Sequence, residues 1–105
     1  YDVVVVPFPF AEMATVKRRP AFVVSSRQFN EVNGHTLVGM ITTAKRSHWP
    51  SDVDLTDLKS AGLKHPCIAR WRLTTLPNEL ILRQIGIVGS IDRMGLEIQR
   101  AGLLA

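Results

Sequence analysis

The predicted fold is a small, mainly β domain, a strongly bent barrel carrying a C-terminal helix, and three observations predict it. β-branched and aromatic residues gather in short runs separated by turn-forming residues along most of the chain. After Ser90 the apolar period changes from strand-like to helical. With 105 residues, 46% of them hydrophobic and 21% charged, the chain has the make-up of one folded domain over residues 1–105 with one modest core.

Val3, Val4, Val5, Val6, Phe8 and Phe10 form the first strand. Pro7 and Pro9 cannot donate to a ladder, which confines this run to a sheet edge or a strand end. Glu12 to Arg18 lacks apolar periodicity and reads as a short loop, followed by a second strand over Pro20 to Ser25. Asn33 and Gly34 both tolerate positive φ and predict a hairpin turn leading into a third strand, Thr36 to Thr42. Asp52 to Leu55 alternates polar and apolar as a fourth strand would, and Ala61 to Pro66 reads as a connector. Cys67 to Leu73 and Arg83 to Val88 complete the strands. Met94, Ile98, Ala101 and Ala105 then recur at helical spacing, with Ser90 and Asp92 suited to the cap and first turn. Gly95 and Gly102 would each cost about 1 kcal/mol relative to Ala, so this helix depends on packing.

Lys and Arg outnumber Asp and Glu by 13 to 9, and nine of the 13 cations are Arg, whose planar fork matches phosphate geometry. An anionic partner fits this balance, as does a charge that serves solubility. The single Cys67 cannot form an internal disulfide, so a reducing cytoplasm is expected. The apolar stretch from Val3 to Ala11 is broken by prolines and is too short to span a bilayer. The chain opens at Tyr1, already inside a strand, and a trimmed N-terminus is expected.

Two constellations could carry chemistry. Lys17, Arg18 and Arg19 stand at the exit of the first loop, and Pro20 biases Arg19 towards an extended backbone that presents its side chain from a rigid strand end. That suits a phosphate clamp, although a solvated basic turn has the same sequence. Thr42 and Thr43 end the third strand just before Lys45 and Arg46. A hydroxyl can donate to a phosphate oxygen while a cation balances its charge, and threonine also ends strands for its β-propensity alone. Trp49, in the loop from Ser47 to Pro50, is the better of the two tryptophans for stacking on a base, with Trp71 more suited to core or interface. His35, His48, His65 and Cys67 share no metal-binding spacing, and neither a phosphate-cradling glycine loop nor a nucleophile elbow is present. No cofactor and no metal site is expected. Asp52, Asp54 and Asp57 read as a solvated acidic edge.

Taken in order, DVVVVPFPF, KRRPAFVVSS and GMITTAKR, followed by DVDL with AGL, PCIARWRLTTL and ELILRQIG, resemble the MazF/PemK family of toxins from type II toxin–antitoxin systems. The resemblance spans nearly the whole chain. It implies an SH3-like barrel of the kind shared with the CcdB toxins, a two-fold homodimer with a groove for single-stranded RNA, and a cognate antitoxin whose acidic, disordered tail fills that groove. The implied activity is metal-independent endoribonuclease cleavage to a 2′,3′-cyclic phosphate and a 5′-hydroxyl.

On matching positions, the family's essential arginine before proline falls on Arg19 and its threonine on Thr42. Glu12 is the candidate assisting base, and Lys17, Arg18, Thr43, Lys45, Arg46 and Trp49 are candidate RNA contacts. The chain departs from the family pattern at Tyr1, where glycine is common, and at Trp71 and Arg72, where acidic and amide residues are frequent. Its first loop is also short. The rival readings are a peptide-binding SH3-like adaptor, a gyrase-inhibiting toxin resembling CcdB, and a degenerate toxin that only binds antitoxin.

Overall fold

In the computed structural model, residues 1–8, 17–43 and 47–104 are described. They form a curled six-stranded antiparallel sheet in the order β4-β5-β3-β2-β1-β6, with a C-terminal helix. The strands are β1 (Asp2–Phe8), β2 (Lys17–Val23), β3 (His35–Thr42), β4 (Val53–Leu55), β5 (Cys67–Pro77) and β6 (Arg83–Ile87). The helices are α1 (Arg27–Asn33), α2 (Leu58–Ala61) and α3 (Ser90–Ala101). Of the two placements its prolines allow, β1 takes the strand end: it lies inside the sheet, and Pro7 falls beyond Val5↔Arg83, the last β1–β6 pair.

The expected hairpin at Asn33 and Gly34 is not formed. The segment before it is α1, started by Ser26, whose Oγ accepts from Phe29 N (3.1 Å), and ended by Gly34 in the left-handed region at φ 65°. Asn and Gly thus end a helix here, and the chain reverses between β2 and β3 through α1 and its cap instead of a two-residue turn. α2 precedes the expected connector from Ala61 to Pro66, sharing only Ala61 with it, and is a single turn capped by Asp57, whose side chain accepts from Ser60 N (3.1 Å).

The sheet is buried on both faces by different residues. On one face Val3, Phe22, Ile41, Ala69 and Trp71 pack with Leu55, Ala61, Val88 and Leu96. Trp71 meets Phe22 edge-on at 5.3 Å between ring centroids, so it is a core residue, each such burial being worth about 1.5–3 kcal/mol. On the other face Val4, Val6, Ala21, Val38 and Leu76 form a second cluster with Val23 and Ile81.

The face of α3 that packs differs from the expected one. Leu96 is fully buried, whereas Met94 and Ile98 are exposed with Ile91. Asp92 is also buried and accepts from Thr56 N (2.9 Å), Thr56 Oγ1 (2.7 Å) and Asp57 N (2.9 Å), tying the first turn of α3 to the segment after β4. Gly95 has a packing reason as well: a Cβ there would stand 3.0 Å from Val53 Cγ1, so its absence lets α3 approach β4.

Candidate nucleic-acid interface

Sheet register decides which sequence candidates meet. β2 and β3 pair as Ala21↔Met40, Phe22↔Gly39 and Val23↔Val38. The last pair is Ala21↔Met40, and Arg19 and Thr42 each lie two residues beyond it, towards the same end of the sheet. Alternation along each strand puts Arg19 on the side of Ala21, and Thr42 on the side of Met40, so both belong to one face. Pro20, between Arg19 and Ala21, has no N–H, and pairing with β3 stops beside it while β2 stays paired with β1 as far as Lys17↔Phe8. Arg19 and Thr42 are both half-buried, while Lys17, Arg18 and Thr43 are exposed. A partly desolvated guanidinium beside a hydroxyl can bind a phosphate more strongly than the same pair in open water.

The same face holds a cation the sequence reading passed over. β3 and β5 pair as Met40↔Arg70 and Thr42↔Ile68, so Arg70 lies diagonally next to Thr42. Its Nε donates to Asp52 Oδ1 (2.9 Å) and its Nη2 to Asp52 Oδ2 (2.9 Å), a two-pronged ion pair whose side chains are 8% and 1% exposed. Nη1 donates to Ser47 Oγ (3.0 Å) and Nη2 to the Ser47 carbonyl (3.2 Å). The guanidinium carbon also sits 4.9 Å from the ring centroid of Trp49. Asp52 Oδ2 accepts from Trp49 N (2.9 Å), and Asp52 N donates to the Trp49 carbonyl (2.9 Å), which closes the loop on itself. The Arg70 hydrogen bonds hold the Asp52 carboxyl below the usual carboxylate range.

Asp52 is therefore not part of a solvated acidic edge, which corrects the reading of Asp52, Asp54 and Asp57 as one group. Asp54 and Asp57 are exposed, but Asp52 is buried because Arg70 compensates its charge. The missed signal was a lone Arg within the apolar stretch Cys67 to Trp71, which needs a buried acid nearby.

Glu12, Lys45 and Arg46 lie outside the described residues. Trp49 is 39% exposed, with Arg70 against its ring. Burial pushes the Cys67 thiol up, away from the reactive thiolate. Among the described residues no three His, Cys, Asp or Glu side chains gather to hold a metal ion, and no helix is long and apolar enough to cross a membrane.

A curled antiparallel sheet with a C-terminal helix and a basic strand tip beside a threonine-ended one defines a class, the small half-barrel proteins with an anion-suited rim. The family is more particular. The profile of the PemK-like, MazF-like toxins of type II toxin–antitoxin systems matches residues 1–99, and the chain belongs to that family. Among curated proteins, none matches it by sequence.

Solved structures with the same fold include the Mycobacterium tuberculosis toxin MazF-mt6, 18% identical with a TM-score of 0.75 over 97% of this chain and 94% of that one. Another Mtb toxin is 21% identical with a TM-score of 0.68, over 82% and 92%. An endoribonuclease solved in complex with its cognate antitoxin, from a mycobacterial species, is 16% identical with a TM-score of 0.73, over 99% and 94%. At these identities the likeness is one of fold.

Proposed function

We propose that this toxin is a metal-independent endoribonuclease of single-stranded RNA, held in check by a cognate antitoxin with an acidic, disordered tail. The observation that supports the reading is the β2–β3 register, whose last pair, Ala21↔Met40, leaves Arg19 and Thr42 each two residues further along one sheet face. The RNA 2′-oxygen attacks the adjacent phosphorus as its proton passes to a base. The bond from phosphorus to the 5′-oxygen then breaks, and that oxygen takes up a proton. The products are a 2′,3′-cyclic phosphate and a 5′-hydroxyl, and DNA is spared because it lacks the nucleophile.

Arg19 stabilises the charge that grows on the phosphorane oxygens, and Thr42 adds a hydrogen bond to the same oxygens. Arg19 is unsuited to act as the base, since a guanidinium stays protonated at neutral pH. Glu12 is the proposed base. Lys17, Arg18, Thr43, Lys45 and Arg46 bind flanking phosphates, so affinity falls as salt rises. The active unit is a homodimer, because one chain of this size offers a short groove.

The test is cleavage of a mixed-sequence single-stranded RNA by purified, antitoxin-free protein in excess EDTA, with the product ends analysed. Cutting that survives chelation, leaves cyclic phosphate and disappears in Arg19→Ala and Thr42→Ala is the expected result. Folded wild-type protein that leaves the RNA intact would overturn the ribonuclease reading in favour of a toxin that binds only protein partners.

A further inference from the structure

Arg70 and Asp52 build more than a loop anchor. The loop from Ser47 to Asp52 follows the strand that ends at Thr42, and four hydrogen bonds from Arg70 pin its two ends. Trp49 is the loop's large aromatic residue. Its backbone N–H and carbonyl are both bonded to Asp52, and its ring lies against the Arg70 guanidinium. A surface tryptophan is ordinarily free to change rotamer, but this one is held from below by a cation that is itself buried and fully engaged. Yet 39% of Trp49 stays open to solvent. An aromatic ring fixed in this way and left uncovered has lost its conformational freedom before any ligand arrives. Arg70 and Thr42 share one sheet face, two residues apart in register or roughly 7 Å along the strand, so the loop that bears the ring is anchored to the face that carries Thr42.

We propose that Trp49 is a stacking shelf for an unpaired base flanking the cleaved phosphate, and that Arg70 is the positioning residue that sets the shelf through Asp52. The proposal rests on the ribonuclease reading and deepens it. Stacking tolerates any base, since every base has a π-face, so the shelf supplies affinity and placement while leaving the choice of sequence to other contacts. A base held there is bound equally before and during the reaction, which lowers KM and leaves kcat as it is.

The experiment follows intrinsic tryptophan fluorescence while the protein is titrated with a non-cleavable 2′-O-methyl oligoribonucleotide, beside steady-state cleavage of the corresponding RNA. Trp71 is buried in the core, so the RNA-dependent change should come from Trp49. Trp49→Ala is expected to raise Kd and KM by roughly tenfold with kcat little changed, and Trp49→Phe, which keeps a π-face, is expected to recover most of that loss. Arg70→Lys keeps the charge but cannot grip both Asp52 oxygens and lie flat against the ring. It should leave the protein folded, make Trp49 more accessible to acrylamide and raise Kd in parallel.

Wild-type protein that binds and cuts RNA while Trp49→Ala matches it in Kd and KM would overturn the shelf and leave the ribonuclease reading standing. Equal loss in Trp49→Ala and Trp49→Phe would do the same. Arg70→Lys that frees Trp49 without weakening binding would overturn the positioning role. A Trp49 signal moved by polyglutamate and not by RNA would assign the ring to an acidic protein tail and overturn the proposal. Wild-type protein that neither binds nor cuts RNA would overturn both.

Discussion

Arg19 and Arg70 stand on the same face of the same sheet, on strands that flank β3, and their surroundings differ. Arg70 is fully engaged by Asp52, Ser47 and Trp49, and its side chain is almost sealed from water. Arg19 is half-buried on β2, paired with Val6 of β1 and two residues beyond the last pair with β3, with exposed cations before it in sequence. One guanidinium neutralises a fixed internal acid, and the other is the one proposed to meet a phosphate. Identical side chains can therefore be put to different uses according to where the sheet holds them.

The largest expected effect tests the chemical role. Arg19→Ala should slow RNA cleavage by roughly 100- to 1000-fold, about 3–4 kcal/mol of barrier, while the protein stays folded. Arg70→Ala should show the converse weighting, losing about 3 kcal/mol of folding stability in urea because Asp52 is left charged and buried without its partner. The double variant Arg70→Met with Asp52→Leu should recover much of that loss. If Arg19→Ala proved as destabilising as Arg70→Ala, the division of labour between the two would be wrong.

A smaller effect is expected at Thr42. Thr42→Val removes one hydroxyl at nearly constant shape, and cleavage should fall by about tenfold, roughly the 1.4 kcal/mol of one hydrogen bond to a charged group. A variant as fast as wild type would remove Thr42 from the chemistry and leave Arg19 to act with other donors.

The smallest effect is in pH dependence. Asp52 has a folded pKa depressed below its unfolded value, chiefly by the Arg70 hydrogen bonds. In that window the unfolded state binds more protons, so stability rises with pH. The contribution is fully present above the unfolded carboxylate value of about 3.9 and is lost as pH falls through the folded one. Denaturation midpoints followed into acid should show Asp52→Asn with a shallower loss than wild type. Parallel curves would mean that Arg70 does little to hold the Asp52 charge.

The strands were legible because their cause is local. β-branched runs such as Val3 to Val6 and Thr36 to Thr42 state their own conformation, and the structure extends or trims them at the ends only. β5 runs on to Pro77, four residues beyond the expected Leu73, because β3 offers it a partner as far as His35. α1 was missed because Asn33 and Gly34 serve a hairpin turn or a helix end equally well, and the deciding cap at Ser26 lies outside the pair. On α3 the periodic Met94 and Ile98 face outward, since Leu96 packs into the core and Asp92 binds the segment after β4. At the site, Arg19 and Thr42 were singled out by their neighbours in sequence. The Asp52 to Arg70 pair was not, because eighteen residues separate the partners: a lone Arg in an apolar stretch calls for a buried acid without saying which one.

By itself the sequence determined the β-rich class, the place of the C-terminal helix, the resemblance to MazF/PemK toxins and the basic and hydroxyl-bearing tips of two strands. Each follows from short-range preference or from motif order along the chain. Tertiary structure was needed to put those tips on one sheet face, to choose which face of α3 packs, and to seal Asp52 against Arg70. These depend on strand register and on burial. A shift of one residue in register would send every side chain to the other face, and no local pattern within a single strand records which partner it will meet.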